Sequence, residues 1–78
     1  IVDDEKNIVE AVKYNLDREG FRTVVAYDGA NALELARREL PDLIVLDWML
    51  PEVDGLELCR LLKLDAHTKL IPILMLTG

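Results

Sequence analysis

Four oxygen-bearing side chains stand at the ends of apolar stretches. Asp3 and Asp4 follow Ile1 and Val2, Asp47 follows the run over residues 43–46, and Thr77 follows the run over residues 71–76. An acid at such a place is costly to desolvate unless a proton or a cation compensates it. If folding brought these acids together, carboxylates ~4–5 Å apart would repel by about 3–4 kcal/mol per pair at an effective dielectric of ~20. Mg²⁺ is the natural counter-charge, since it prefers hard oxygen ligands in an octahedron and keeps several waters. With no histidine or cysteine beside these acids, zinc is disfavoured. Carboxylate plus Mg²⁺ points to phosphoryl chemistry, in which an aspartate acts as nucleophile and becomes an aspartyl phosphate. The metal would neutralise charge on the transferring oxygens. The Thr77 hydroxyl could then bond the phosphoryl group and couple the reacted site to a moving loop.

The elements that must position these residues are legible from periodicity. Ile1 and Val2 read as the end of a first strand. Residues 6–19 read as a helix, with Ile8, Val12 and Leu16 repeating every four residues and Val9 on the same apolar face. Gly20 stands where a helix C-terminal glycine belongs. Residues 21–27, FRTVVAY, are rich in β-branched and aromatic types and read as a second strand. Asp28 is a candidate cap for a second helix over residues 30–40, with Leu33, Ala36 and Leu40 on one face. Residues 43–46 are apolar throughout, as in a strand buried on both faces of a parallel sheet. A third helix over residues 56–64 and a fourth strand over residues 71–76 complete the chain. Pro72 is tolerable early in that strand. The β-α-β-α-β-α-β order specifies an α/β domain with a parallel sheet and right-handed crossovers. If the strand order is 2-1-3-4, the first and third strands are neighbours at the switch point where α/β folds bind ligands. Asp3, Asp4, Asp47 and Thr77 would then share one crevice.

Length and composition bound the function. The chain has 78 residues, 51% of them hydrophobic, a net charge of −6 and a single cysteine. That is one small domain, of a size that buries only roughly 60–65% of its unfolded surface. The acidic balance argues against direct binding of nucleic acid or an anionic membrane, and suits a cation or a basic partner. One thiol forms no intrachain disulfide and fits a reducing compartment. No apolar run approaches the ~18–20 residues of a membrane helix and no signal peptide is visible, which favours a cytoplasmic protein. The start at Ile1 and the stop at Gly78 suggest a piece of a longer chain.

Plainer readings stand beside these. Asp3, Asp4 and Glu5 could cap the first helix and complement its dipole. Asp47 could form a turn before Pro51. His67 reads as a solvated loop residue, Cys59 as core, and Trp48 as partly exposed near the site with no catalytic role. Arg37, Arg38 and Lys63 read as solvated helix faces.

Taken together, "VDDE" after the first strand, "LDWMLPEVDG" around the third and "LTG" after the fourth resemble the receiver domain of bacterial two-component response regulators. The likeness spans the whole chain. "DWMLP" is most similar to the subfamily with a winged-helix DNA-binding output domain, which includes the phosphate-regulon regulator. The resemblance implies a flavodoxin-like, doubly wound parallel sheet. It implies Asp47 as phosphoacceptor, Asp4 as direct Mg²⁺ ligand and Asp3 as an acid holding the metal partly through water. Met49 would complete the metal site through its backbone carbonyl, Thr77 would be the switch hydroxyl, and Gly78 the small residue leaving room for the phosphoryl group. The family also carries a lysine and an aromatic switch residue on or after a fifth strand. Residues 1–78 stop before both, and before the fourth helix, fifth strand and fifth helix, the surface such domains use to dimerise and signal. Strand four would thus expose an edge and part of both faces.

The implied function is a phosphorylation-operated switch, fed by a sensor histidine kinase. It is a phosphoacceptor with self-catalysed phosphoryl transfer and hydrolysis, and not otherwise an enzyme. It would be a possible homodimer when full length, touching DNA only through an output domain outside these residues, with no membrane partner. Two other readings compete. An aspartate-nucleophile phosphohydrolase wants a second acid two residues after the nucleophile, where this chain has Met49. A phosphorylation-independent interaction module would have no use for intact Asp3, Asp4, Asp47 and Thr77.

Overall fold

The computed structural model describes residues 1–50 and 53–76. Helices and strands follow in the order α1 (Lys6–Arg18), α2 (Gly29–Glu39), β1 (Ile44–Asp47), α3 (Gly55–Leu64) and β2 (Ile73–Leu76). β1 and β2 pair in parallel, from Ile44 opposite Ile73 to Asp47 opposite Leu76. Two more extended segments join the sheet through single parallel bridges, Val2 to Leu46 and Val2 to Ala26. The order across the sheet is therefore Ala26, Val2, β1, β2, which is the 2-1-3-4 order of a flavodoxin-like α/β fold.

The expected strand over residues 21–27 is reduced to one bridge at Ala26. Among the described residues this segment pairs in parallel with Ile1 and Val2. Ala26 N–H donates to Ile1 O at 2.9 Å, and the Ile1 amino group donates to Val24 O at 2.9 Å.

Helix ends follow their local chemistry. Past α1, Gly20 takes φ 88°; its N–H reaches Asp17 O, and Phe21 N–H reaches Leu16 O, both at 3.1 Å. These two bonds close the helix in a Schellman turn that favours glycine. Asp28 caps α2 as expected, accepting from Asn31 N–H at 2.8 Å. Asp54 caps α3 in the same way, accepting from Glu57 N–H at 2.8 Å. Leu40 does not belong to the buried face of α2. It lies past the helix with φ 47° and is exposed, because the proline that follows it disfavours the α conformation.

One face of the sheet carries the main core. Val2, Ala26, Ile44 and Leu46 pack with Ala32 and Ala36 of α2, Leu58 and Leu62 of α3, and Leu50 and Ile71. The partly buried Cys59 packs against this cluster, as expected. The opposite face is thinner. Successive strand side chains alternate between faces, and along β1 Ile44 and Leu46 are buried while Val45 and Asp47 are half-buried. Burial on both faces, as expected from the apolar run, thus holds for one face only. On the other, Val45, Leu74 and Leu76 border an open apolar groove with Val12 and Leu16. α1 is anchored by Val9, at 1% exposure, while Ile8 lies on the helix margin and is exposed rather than buried. Leu74, on edge strand β2, is also exposed.

The turn between α3 and β2 is held by polar groups. The Lys63 ammonium, expected to be solvated, donates to Ile71 O at 2.7 Å. Buried Thr68 donates its hydroxyl to Leu62 O at 2.6 Å. Arg37 of α2 pairs with Asp65 at the end of α3, which ties the two helices together. The His67 ring is exposed beside Asp65.

Leu58 is fully buried where α3 meets the sheet. Leu58→Ala is expected to cost about 2–5 kcal/mol by denaturant unfolding. Leu74→Ala, on the uncovered face, should cost no more than about 1 kcal/mol.

Candidate functional site

The sheet ladder places the acids. Val2 N–H donates to Val45 O at 2.7 Å, and Asp47 N–H donates to Val2 O at 2.8 Å. Asp3 N–H donates to Ala26 O at 3.2 Å. Asp3 is thereby fixed between two neighbouring segments, one residue beyond the bridge, and Asp47 is fixed at the C-terminal end of β1. One carboxylate oxygen from each of Asp3, Asp4 and Asp47 falls within 4.8 Å of the others. Asp4 is exposed, Asp47 half-buried and Asp3 only 2% exposed.

Helix capping does not account for this cluster. The N-cap of α1 is Glu5, whose side chain makes no capping bond, and the first turn of α1 holds no acid. Asp3 Oδ1 accepts from Glu5 N–H at 2.9 Å, a local turn ahead of the helix that fixes the Asp3 carboxylate. Nor is Asp47 spent on a tight turn: its Oδ1 takes Met49 N–H at a long 3.3 Å.

Burial raises the Asp3 pKa above its ordinary value. The Glu5 N–H opposes that shift, and the charges of Asp47 and Asp4 add to it. The three acids form one cluster. Its donor set is oxygen only, with no histidine or cysteine among the grouped residues. The set fits a hard divalent cation such as Mg²⁺ and not zinc.

Around the acids, Trp48 N–H donates to Leu76 O at 3.1 Å, with its side chain partly exposed as expected. The Met49 side chain is exposed. The Lys6 ammonium lies 5.8 Å from the centre of the Tyr27 ring. Thr77, Gly78 and Pro51 lie outside the described residues. Two features were not anticipated in their physical role: the Asp54 cap, and the close approach of Gly55 to the Asp47–Trp48 main chain. Their only trace in the sequence is an Asp-Gly pair seven and eight residues after Asp47.

The family model described as "Response regulator receiver domain" matches residues 1–78. The chain belongs to that family, a family of phosphorylation-operated signalling switches rather than metabolic enzymes. It is 51% identical over 78 residues to the alkaline phosphatase synthesis transcriptional regulatory protein PhoP of Bacillus subtilis (strain 168), covering 100% of this chain and 32% of that protein. It is 44% identical over 78 residues to the phosphate regulon transcriptional regulatory protein PhoB of Rhizobium meliloti (strain 1021), covering 100% of this chain and 34% of that protein. The chain thus spans about a third of the length of these curated relatives. Among solved structures, the N-terminal domain of a response regulator receiver protein from Methanoculleus marisnigri JR1 superposes with a TM-score of 0.93 at 39% identity, covering 95% of this chain and 60% of that one. The Francisella response regulator 1452 receiver domain gives 0.89 at 36% identity, over 97% and 61%.

The raised Asp3 pKa has a definite sign. The folded protein binds that proton more tightly than the unfolded chain, so ionised Asp3 opposes folding above its raised pKa. Asp3→Asn should therefore stabilise the protein at neutral pH in the presence of a chelator. The advantage should shrink as pH falls through the raised value and vanish below the ordinary carboxylate range. Denaturant unfolding across pH checks it.

Proposed function

We propose that residues 1–78 form part of one receiver domain in which Asp47 accepts a phosphoryl group from the phosphohistidine of a sensor histidine kinase. The observation that carries this reading is the meeting of Asp3, Asp4 and Asp47 within 4.8 Å at the ends of adjacent strand segments. An Asp47 carboxylate oxygen attacks phosphorus, the phosphorus–nitrogen bond breaks, and an acyl phosphate forms. Water later attacks the phosphoryl group and returns the carboxylate and inorganic phosphate.

Asp3, Asp4 and Asp47, with the Met49 backbone carbonyl, would hold Mg²⁺, which supplies charge neutralisation for the transferring oxygens. The role of Asp3 is to keep a negative charge at the floor of the site, fixed by Glu5 N–H. That of Asp47 is to present its carboxylate from a strand end whose main chain is bonded on both sides. Thr77 would supply the hydroxyl that reads the reacted state. A DNA-binding output domain elsewhere in the protein, on the pattern of the relatives' names, would turn that state into control of transcription. Such a protein would be cytoplasmic and could dimerise on phosphorylation. No helix among the described residues is long and apolar enough to cross a membrane. Met49, two residues past Asp47, offers no acid or base, so sustained phosphomonoester hydrolysis is not supported.

With a small-molecule phosphodonor and Mg²⁺, the wild-type protein should take up one phosphoryl group, and chelation should stop uptake. Asp47→Asn should abolish it. Labelling of that variant at the wild-type rate would refute the assignment.

A further inference from the structure

Gly55 opens α3 and faces the main chain that carries the acceptor. Its N–H donates to Trp48 O at 2.9 Å, which ties the start of α3 to the residue after β1. A Cβ at Gly55 would stand 2.4 Å from Asp47 O and 2.8 Å from both Trp48 Cα and Trp48 O. All three are backbone atoms, and none can swing aside as the end of a flexible side chain could. To admit a methyl group, the Asp47–Trp48 peptide and the start of α3 must separate by more than half an ångström. The helix is poorly free to retreat. Asp54 caps it, and Leu58, one turn on, is fully buried in the core. The strain therefore falls on the peptide just after Asp47.

We infer that Gly55 is a positioning residue for the acidic site: its missing side chain lets α3 clamp the Asp47–Trp48 peptide where the Asp47 carboxylate meets Asp3 and Asp4. Mg²⁺ tolerates little error, since it requires near-ideal octahedral geometry at ~2.0–2.1 Å. A misplacement of ~1 Å at a reacting centre can cost on the order of 10²-fold in rate. This inference rests on the metal-dependent reading above.

The test compares Gly55→Ala with Gly20→Ala in the protein that carries this chain. Gly20 is a control for general destabilisation, because its φ of 88° strains any side chain while nothing lies within 4 Å of the added Cβ. Binding of Mg²⁺ alone is read by calorimetry and by the rise in Tm on adding Mg²⁺. Gly55→Ala should weaken Mg²⁺ binding by roughly tenfold or more and lose most of the Mg²⁺-induced rise in Tm. Gly20→Ala should lower Tm yet keep the wild-type Mg²⁺ affinity within about twofold. Wild-type affinity in Gly55→Ala would overturn the inference alone. Failure of the wild type itself to bind Mg²⁺ would overturn the metal reading and the inference with it. If Gly55→Ala does not fold, amide exchange in the wild type decides. Protection of Gly55 N–H should increase on adding Mg²⁺, since this bond and the site are then one coupled unit. Unchanged protection would overturn the claim.

Discussion

Three carboxylates within 4.8 Å of one another, one of them almost wholly buried, form the constraint around which this molecule is arranged. At that spacing each ionised pair repels by about 3 kcal/mol at an effective dielectric of ~20. No flexible surface would keep them there. The main chain does so, because Asp3 and Asp47 follow directly from a parallel ladder whose hydrogen bonds leave neither residue free to withdraw. Burial raises the Asp3 pKa, and the charges of Asp47 and Asp4 add to that rise. A divalent cation held by these acids would offset their repulsion, and a phosphoryl group would add negative charge beside them.

The rest of the fold serves that constraint unequally. The face with Leu46, Leu58 and Leu62 is close-packed, and it fixes the end of β1 and the start of α3 relative to each other. α3 then presses its first residue, Gly55, onto the peptide beside Asp47. The opposite face, with Val45, Leu74 and Leu76, is only partly covered.

Much of this was legible in the sequence. Each helix appears within a residue of where apolar spacing, Asp28 and Gly20 place it, because those signals are local. Strand order and the meeting of Asp3, Asp4 and Asp47 follow from the α/β pattern combined with the family resemblance. What sequence could not supply was set by tertiary context. The segment over residues 21–27 has strand composition, yet it joins the sheet through a single bridge at Ala26. Leu40 has core composition, but Pro41 turns it out of the helix. Lys63 looks solvated in any helical projection, yet its ammonium finds the Ile71 carbonyl across a turn. The clamp at Gly55 depends on a distance between two elements that no spacing rule encodes.

The central claim is that Asp47, and no other acid of the cluster, is the nucleophile that accepts the phosphoryl group. Mapping of the acyl phosphate by borohydride reduction, after reaction with a small phosphodonor and Mg²⁺, tests it most directly. Reduction converts a phosphorylated aspartate to homoserine, which peptide mass spectrometry locates. The account predicts homoserine at position 47 alone. Homoserine at position 3 or 4, or none in a protein that has taken up phosphate, would contradict it.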